Sequence, residues 1–310
     1  MRGVRSLPVL PRRATRRALI FATLVLVAPM LSPVPSDRPV ETEPIAPEEL
    51  SRLGSFGLSD RFDPFLPKFA REALDSGGRV RAVRSPGGIA AVVLGDAEEQ
   101  VASVFTRSPG LAARLFAELP EAAVYSEQPL PAPREVFGIF GAGLDSPPPV
   151  HAFRHAVRSA APPDAESVRE LLREVYGTVS DRWLRHASLE AEPCFVVEVG
   201  DRIAGAAWVS VAGRRARLHS LTVRPGYRRL GVGLDLLFAR LLWAHEAGLD
   251  EVFSEISERN PVSRYLAESA GLLRVGEISL YSRAAPPTVR DGWATFGPPH
   301  RTGTSRPSSR

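Results

Sequence analysis

The sequence predicts an α/β protein with a mixed, mostly antiparallel sheet, and three observations carry this prediction. From residue 151 onward, alternating segments and segments of helical spacing follow in the order β-α-β-β-β-α-β-α-β. Glycine turns at Gly200-Asp201 and Ala212-Gly213 join three of the strands into a meander. Gly231 and Gly233 then stand between a strand and a helix.

Two adjacent prolines separate the first strand of this series from its first helix. Residues 150–158, VHAFRHAVR, alternate and are typical of a strand. After Pro162 and Pro163, apolar residues recur at helical spacing. Asp164 is the expected N-cap of this helix, and Gly177 is its stop signal.

The glycine motif introduces a second helix, predicted over about Val232 to Glu246, which the strand LDEVFSEIS follows. Asn260 is the expected N-cap of a third helix, with Pro261 at its first position and Gly271 at its end. Residues 272–283, LLRVGEISLYSR, are predicted to form a last pair of short strands. The second half is therefore expected to be one domain over residues 151–285.

The first half shows part of the same order. Residues 78–107 indicate three strands, residues 108–119 a helix and residues 121–127 a further strand. The proline-rich segment GLDSPPPVH, residues 143–151, separates the halves and predicts an N-terminal domain over residues 46–145. An internal duplication and an unrelated α/β cap both remain open.

Composition argues against a nucleic-acid partner. The formal net charge is only +4, and Lys68 is the single lysine among arginines scattered between acidic residues. Because Cys194 is the single cysteine, no internal disulfide is possible. It lies in an apolar, strand-like run, where a small buried side chain is expected. No metal site is expected.

The glycine motif has a physical use as a phosphate site. A helix N-terminus exposes backbone N–H groups and carries about half a positive charge. Gly231 and Gly233 would let a pyrophosphate approach the backbone, and Arg228 and Arg229 would add charge. No Lys-Ser/Thr follows as in a Walker loop, and Leu236 stands where a Rossmann fingerprint needs its third glycine.

The stretch LTVRPGYRRLGVG resembles the signature Arg/Gln-x-x-Gly-x-Gly/Ala of the GNAT superfamily of acyl-CoA N-acyltransferases. Arg228, Gly231 and Gly233 match the signature, and the later NPVSRYLAESAGL resembles the family's Asn-led helix. The resemblance covers about residues 151–283. It implies a GNAT-like fold with a V-shaped cleft, acetyl-CoA as cosubstrate, and a β-bulge near the end of the cofactor strand. In the first half, TRSPGLAARLF lacks the Gly-x-Gly.

The resemblance also implies which residues hold acetyl-CoA. The pyrophosphate would rest on backbone N–H groups from Arg228 to Leu234, and Asn260 would contact CoA. The pantetheine would pair along the strand, where the N–H of Val223 would donate to the oxyanion. The implied cofactor-binding set is Leu221, Thr222, Val223, Arg228, Arg229, Leu230, Gly231, Val232, Gly233, Leu234 and Asn260.

Two residues are candidates for the general base. Glu255 precedes Asn260 by five residues, as a glutamate does in the ribosomal-protein N-terminal acetyltransferases, although it could instead be solvated or in an ion pair. His219 is the rival, predicted on the same strand face as Leu221 and Val223. Ala267 stands where the family often has the tyrosine that protonates the leaving thiolate, while Tyr265, Tyr281 and Tyr227 are other nearby hydroxyls.

The two ends of the chain read differently from the halves. Residues 1–45 carry arginines and then an apolar run from Ala18 to Leu31, which fits a signal peptide but is short for a membrane span of about 20 residues. Because a cytoplasmic cosubstrate is expected, a start at Met30 or a short anchor is favoured over export. Residues 286–310 are predicted to be a disordered tail.

The sequence thus predicts a cytoplasmic N-acetyltransferase that acts on a primary amine, either a small molecule or a protein N-terminus. The acceptor itself is not predicted, and its groove is expected between residues 176–184 and the last strands. A catalytically weak CoA-binding regulatory module is the alternative, suggested by Ala267 and the degenerate first half. A membrane-tethered interaction protein rests only on the apolar N-terminal run.

Overall fold

The protein was analysed as a computed structural model, which describes residues 40–55, 62–75, 77–86, 88–95, 102–106, 108–118, 123–126, 135–177, 189 and 192–281. They belong to one unit that spans Asp37–Arg310. The predicted apolar run from Ala18, the tail 286–310 and groove residues 178–184 lie outside the described residues. No helix in the described ranges has the length and apolarity needed to cross a bilayer.

Strands and helices alternate along the described chain. The helices are α1 (Leu66–Asp75), α2 (Pro109–Glu118), α3 (Ala165–Tyr176), α4 (Val232–Glu246) and α5 (Pro261–Ser269). The strands are β1 (Glu43–Pro44), β2 (Arg79–Ser85), β3 (Gly88–Gly95), β4 (Ala102–Thr106), β5 (Ala123–Ser126), β6 (Glu135–Gly143), β7 (Val157–Ser159), β8 (Cys194–Val199), β9 (Arg202–Ala212), β10 (Arg215–Val223), β11 (Glu251–Ser257) and β12 (Leu273–Tyr281).

All of these strands form one sheet in the order β1-β2-β3-β4-β5-β12-β6-β11-β10-β9-β8-β7. Two neighbouring pairs are parallel, β4 with β5 and β10 with β11, and the other described pairs are antiparallel. In each half a meander leads through a helix to a parallel strand, as an internal duplication would produce. Because β6 pairs with β11 and β12, the sheet continues across the proline-rich segment predicted as a domain boundary.

Most elements of the second half follow the sequence prediction. Helix α4 has the predicted bounds, and Gly177 ends α3 with a φ of 75°. Gly200 and Gly213 take φ values of 62° and 58° in the two meander turns, a left-handed conformation that favours glycine. The three strands at 78–107, helix α2 and strand β5 of the first half are confirmed as well.

Two local predictions were wrong, and a third holds only in part. Of the predicted strand 150–158, only Val157 and Arg158 lie in a strand, β7, because the preceding residues are held by helix α4 instead. In place of the predicted pair of short strands, Leu273–Tyr281 form one strand, β12, whose register with β6 shifts between Arg274 and Gly276. Asp164 does occupy the predicted N-cap position of α3, but its carboxylate accepts from the Ala161 N–H at 2.7 Å and makes no capping bond to the helix.

The sheet is covered on both faces. On the α4–α5 face, helix side chains pack on Leu218, Val252 and Ile256 of the strands. On the α1–α3 face, Phe253 contacts the rings of Phe62 and Phe65, and other strand residues pack under α1 and α3. Each large apolar side chain buried in this way contributes about 1.5–3 kcal/mol. Both faces of the sheet are therefore packed, and this packing holds its strands in place.

Candidate active site

The N-terminus of α4 presents free backbone donors. Gly231 precedes the helix with a φ of 101°, and no side chain caps it. The first helical bonds run from the N–H groups of Leu234 and Asp235 to the Gly231 carbonyl, both at 3.0 Å. The N–H groups of Val232 and Gly233 therefore have no acceptor within the helix, as helix geometry requires, and the helix dipole favours an anion beside them.

Positive side chains surround this helix terminus. Arg228 and Arg229 are exposed on the preceding loop, and Arg229 has a φ of 64°. A Cβ on Gly231 would lie 2.8 Å from Cδ of Arg154, so only glycine lets this arginine pack over the turn. Leu230, which stands between Arg229 and Gly231 in the chain, is 51% exposed. The predicted phosphate loop thus combines open donors with arginine side chains.

The corresponding helix of the first half is α2, and a side chain caps its N-terminus. The Ser108 hydroxyl oxygen accepts from the Leu111 N–H at 3.2 Å, and the Thr106 hydroxyl oxygen accepts from the Ser108 N–H at 3.1 Å. The third residue of α2 is thus capped by a side chain. The two halves therefore share their strand order but differ at this helix entrance, because no side chain caps α4.

Strand β10 bulges just before this loop. Its register with β9 shifts between His219 and Thr222, and Ser220 has a φ of 51°. Its pairing with β11 covers only Arg215–Arg217, so the two strands separate toward the bulge. The predicted bulge and cleft are both present.

A cavity of about 30 Å³ lies between the separated strands and under α4 and α5. Its lining comprises Leu218, His219, Leu221, Leu237, Arg240, Ser254, Ile256, Ser263, Leu266, Ala267 and Leu272. Ala267, the position where the resemblance leads one to expect tyrosine, is buried in this wall. Tyr265 is 68% exposed, whereas Tyr281 packs in the core of the first half.

The bulge also overturns one sequence prediction. Leu221 and Val223 pack with α4 and α5, whereas the His219 imidazole lies on the α1–α3 face. The extra residue at Ser220 breaks the two-residue alternation, so residues on either side of it no longer share the expected face. His219 therefore lies across the sheet from Leu221 and Val223, not beside them.

A polar cluster surrounds His219 on the α1–α3 face. Its Nε2 lies 2.9 Å from a Glu192 carboxylate oxygen and 3.0 Å from the Ser210 hydroxyl, and its Nδ1 lies 3.0 Å from the Ser220 hydroxyl. Lys68 of α1 pairs with the other oxygen of Glu192, which also accepts from Ser210. The cluster joins residues of both halves of the chain.

His219 is held neutral in this cluster. Burial lowers its pKa well below the usual 6.5, and the neighbouring cations Arg217 and Lys68 act in the same direction. Glu255 acts against them without reversing the shift. A neutral imidazole at neutral pH has one nitrogen with a lone pair, which a proton acceptor requires.

Glu255 is committed to an ion pair. Both of its oxygens accept from Nε of Arg217, at 2.9 and 3.1 Å, and the two side chains are buried together. The guanidinium of Arg217 also stacks over Phe69, 5.6 Å from the ring centre. The structure thus places Glu255 in the ion-pair arrangement that the sequence left open.

The remaining predicted residues have local partners. Asn260 caps α5, because its Oδ1 accepts from the Ser263 N–H at 3.0 Å. Thr222 lies beneath α3, where its hydroxyl is 2.9 Å from that of Tyr176. Burial raises the pKa of Tyr176 to about 12, so its hydroxyl stays protonated. Tyr227 is half-buried beside the α4 core.

Sequence reasoning missed the partners that orient His219. Glu192 and Lys68 are far apart in the chain, and no spacing rule connects them. It also missed Asp235, which is buried in the first turn of α4 and binds His151 and His155 at 2.7 and 2.8 Å. An aspartate on an apolar helix face was the available signal. Nowhere in the described ranges do three or more His, Cys, Asp or Glu side chains form a group that could hold a metal ion.

Comparison with known proteins agrees with this geometry. Residues 157–272 match the family model described as the Acetyltransferase (GNAT) family. Residues 157–272 belong to the GNAT superfamily. No curated protein sequence matches this chain with significant similarity. The family and the α/β fold predicted from the sequence are both confirmed.

Solved structures resemble the fold of this chain over more than the matched segment. A GCN5-related N-acetyltransferase from Sphaerobacter thermophilus has a TM-score of 0.57 at 18% identity, over 77% of this chain and 94% of that one. A Saccharomyces cerevisiae N-myristoyltransferase with bound myristoyl-CoA has a TM-score of 0.54 at 15% identity, over 79% and 80%. A GCN5-related N-acetyltransferase from Kribbella flavida reaches 0.51 at 13% identity, over 69% and 93%. These likenesses show the fold of this chain.

Proposed function

We propose that the protein transfers an acetyl group from acetyl-CoA to a primary amine. Membership of the GNAT superfamily supports acyl-CoA-dependent N-acyl transfer in general. The observation that carries the proposal is the bulge of β10 directly ahead of the uncapped N-terminus of α4. An opened strand and an anion site in this order suit a thioester joined to a pyrophosphate.

The pyrophosphate would accept hydrogen bonds at the entrance of α4. The N–H groups of Val232 and Gly233 are directed there, and Arg228 and Arg229 supply positive charge. A Cβ on Gly233 would lie 3.3 Å from Leu266, so a larger side chain would crowd the junction between α4 and α5. These features support a phosphate group that approaches the backbone closely.

The thioester would lie beside the bulged end of β10. The Arg224 N–H donates to the Ala204 carbonyl on β9 at 2.9 Å. Because N–H groups alternate in direction along a strand, the Val223 N–H points to the opposite side, toward the gap left by β11. We propose this N–H as the donor to the oxyanion that forms when the amine attacks the carbonyl.

We propose His219 as the general base in preference to Glu255. His219 is neutral and oriented by Glu192, whereas Glu255 already accepts two bonds from Arg217. The base would take the proton that the amine must lose as its nitrogen bonds to the thioester carbon. Asn260 would act on CoA through the start of α5, which its side chain caps.

Binding and turnover test the proposal separately. Acetyl-CoA should bind the native chain in isothermal titration. Gly233→Glu should abolish the binding, because its side chain would crowd the junction of α4 and α5 and add a negative charge at the helix terminus. Gly110→Glu is the matched control, because Gly110 lies in the first turn of α2 with open space around it. Unfolding curves of both variants verify the fold.

Release of free thiol from acetyl-CoA over a panel of amines and peptide N-termini then tests catalysis. Thiol release that falls by about 100-fold or more in His219→Asn supports the enzyme and its base. Binding without release over the whole panel favours the regulatory CoA-binding module. No binding to the native chain contradicts the proposal. We further propose a cytoplasmic location for the folded part, because acetyl-CoA is expected there.

A further inference from the structure

Arg240 is a buried cation with no acidic partner in the described ranges. It lies in the middle of α4 and is only 2% exposed. Its Nε donates to the Leu236 carbonyl at 3.2 Å, and its Nη1 donates to the carbonyls of Trp208 and His219 at 3.2 and 3.3 Å. A fully buried arginine normally has a carboxylate partner.

Two other buried arginines do have a carboxylate partner. Arg217 pairs with Glu255, and Arg224 pairs with Glu174. Arg240 keeps its charge with carbonyl dipoles alone, although burial lowers its pKa to about 9. Such an arrangement costs free energy, and a neutral side chain of similar volume would avoid that cost. A charge that is kept at such a cost is expected to serve a function at its position.

Two contacts of Arg240 place this charge at the reaction cleft. It binds the carbonyl of His219, the residue at which the β9–β10 register begins to shift, and so it holds the bulge. It also lines the cavity between the separated strands, opposite Ala267 on α5. The other polar residues of that lining are Ser254, Ser263 and His219, whose imidazole lies on the opposite face of the sheet.

We propose that Arg240 stabilises the thiolate that leaves during acyl transfer, in a cavity wall that has an alanine instead of a tyrosine. The inference rests on the proposed function. As the amine nitrogen bonds to the carbonyl carbon, the carbon–sulfur bond breaks and its electron pair moves to sulfur. The amine proton goes to His219, and Arg240 keeps its own proton. The negative sulfur is stabilised by the buried guanidinium, whose field is weakly screened there.

The thiol pKa of bound CoA tests this role without catalysis. CoA is added to the native chain, and the thiolate is followed by its ultraviolet absorbance over a pH series. A cation close to sulfur should lower the thiol pKa by about 1–3 pH units relative to free CoA. Arg240→Gln should restore the value of free CoA, and Arg240→Lys should keep much of the lowering.

Arg224→Gln is the control, because it removes a second buried arginine that does not line the cavity. It should leave the lowered thiol pKa in place. If bound CoA in the native chain has the thiol pKa of free CoA, or if Arg240→Gln binds CoA and leaves a lowered pKa unchanged, the inference is overturned. The native comparison holds even if Arg240→Gln does not fold. A failure of CoA to bind at all overturns the proposed function instead.

Discussion

The imidazole Nε2 of His219 lies 2.9 Å from a carboxylate oxygen of Glu192, and the second oxygen of that carboxylate pairs with Lys68. His219 comes from the bulged strand β10, whereas Lys68 comes from helix α1 of the first half. The first half therefore contributes a charged side chain to the proposed catalytic cluster. The N-terminus of α2 in that half differs from that of α4, because the Ser108 hydroxyl caps it.

Glu192→Gln should slow turnover without weakening acetyl-CoA binding. The variant keeps the side-chain shape but replaces the charged partner of His219. Loss of a hydrogen bond to a charged group costs about 1.5–3 kcal/mol. If this loss raises the free energy of the transition state, kcat should fall by about 10- to 150-fold. Steady-state kinetics with acetyl-CoA varied should show an unchanged KM. A change in KM alone would argue that Glu192 serves only binding.

Lys68→Met should move the acid limb of the pH–rate profile to higher pH. Lys68 lowers the pKa of His219, so its removal should raise that pKa. The base would then be protonated, and activity lost, at a higher pH than in the native chain. Lys68→Arg keeps the charge and should keep the profile. An acid limb that stays in place in Lys68→Met would show that His219 does not control the rate.

Glu255→Gln should lower stability and move the acid limb to lower pH, because the Glu255 carboxylate raises the pKa of His219. Removing one partner of a buried ion pair costs about 3–5 kcal/mol, here because Arg217 loses its carboxylate. Chemical denaturation measures this loss, and Arg217→Met is the matched variant that breaks the same pair. Activity is compared at a temperature where both variants are folded. Loss of the acid limb only in Glu255→Gln would make Glu255 the base.

Asp235→Asn should destabilise the junction between residues 151–155 and α4. Burial raises the pKa of Asp235, but bonds from His151, His155 and two backbone N–H groups outweigh it, so the pKa lies below the usual 3.8. The carboxylate therefore stabilises the fold fully above about pH 4 and loses that contribution as the pH falls through its lowered pKa.

At neutral pH the free energy of unfolding of Asp235→Asn should be lower by about 1.5–3 kcal/mol. Denaturation at about pH 3 should give a smaller difference between native and variant chains. Asp250→Asn, which removes an exposed partner of Arg214, should change stability little at either pH. An equal loss for Asp235→Asn and Asp250→Asn would mean that the buried network is not a specific anchor.

The sequence predicted those elements whose ends carry local signals. Helix α4 begins after a glycine and ends at the predicted residue, and α5 has its Asn260 cap. Strand β6 was missed, although it lies near the centre of the sheet between β12 and β11. Its glycine-rich sequence, EVFGIFGAG, ran into the proline-rich break and gave no clear alternation.

The site was predicted less completely, because its chemistry depends on long-range contacts. The residues of the predicted phosphate loop are neighbours in the sequence, so their position at the N-terminus of α4 could be predicted. The position of His219 was mistaken because the positive φ of Ser220 inserts a residue that alternation does not show. The contact of Lys68 with Glu192 depends on how α1 packs on the sheet. No pattern within either segment reports that packing.

A crystal structure with bound acetyl-CoA tests the central claim most directly. The account predicts the pyrophosphate within hydrogen-bond distance of the N–H groups of Val232 and Gly233. It also predicts the thioester carbonyl oxygen at the Val223 N–H, in the gap between β10 and β11. Acetyl-CoA bound at α2 in the first half, or with its pyrophosphate away from α4, would contradict the account.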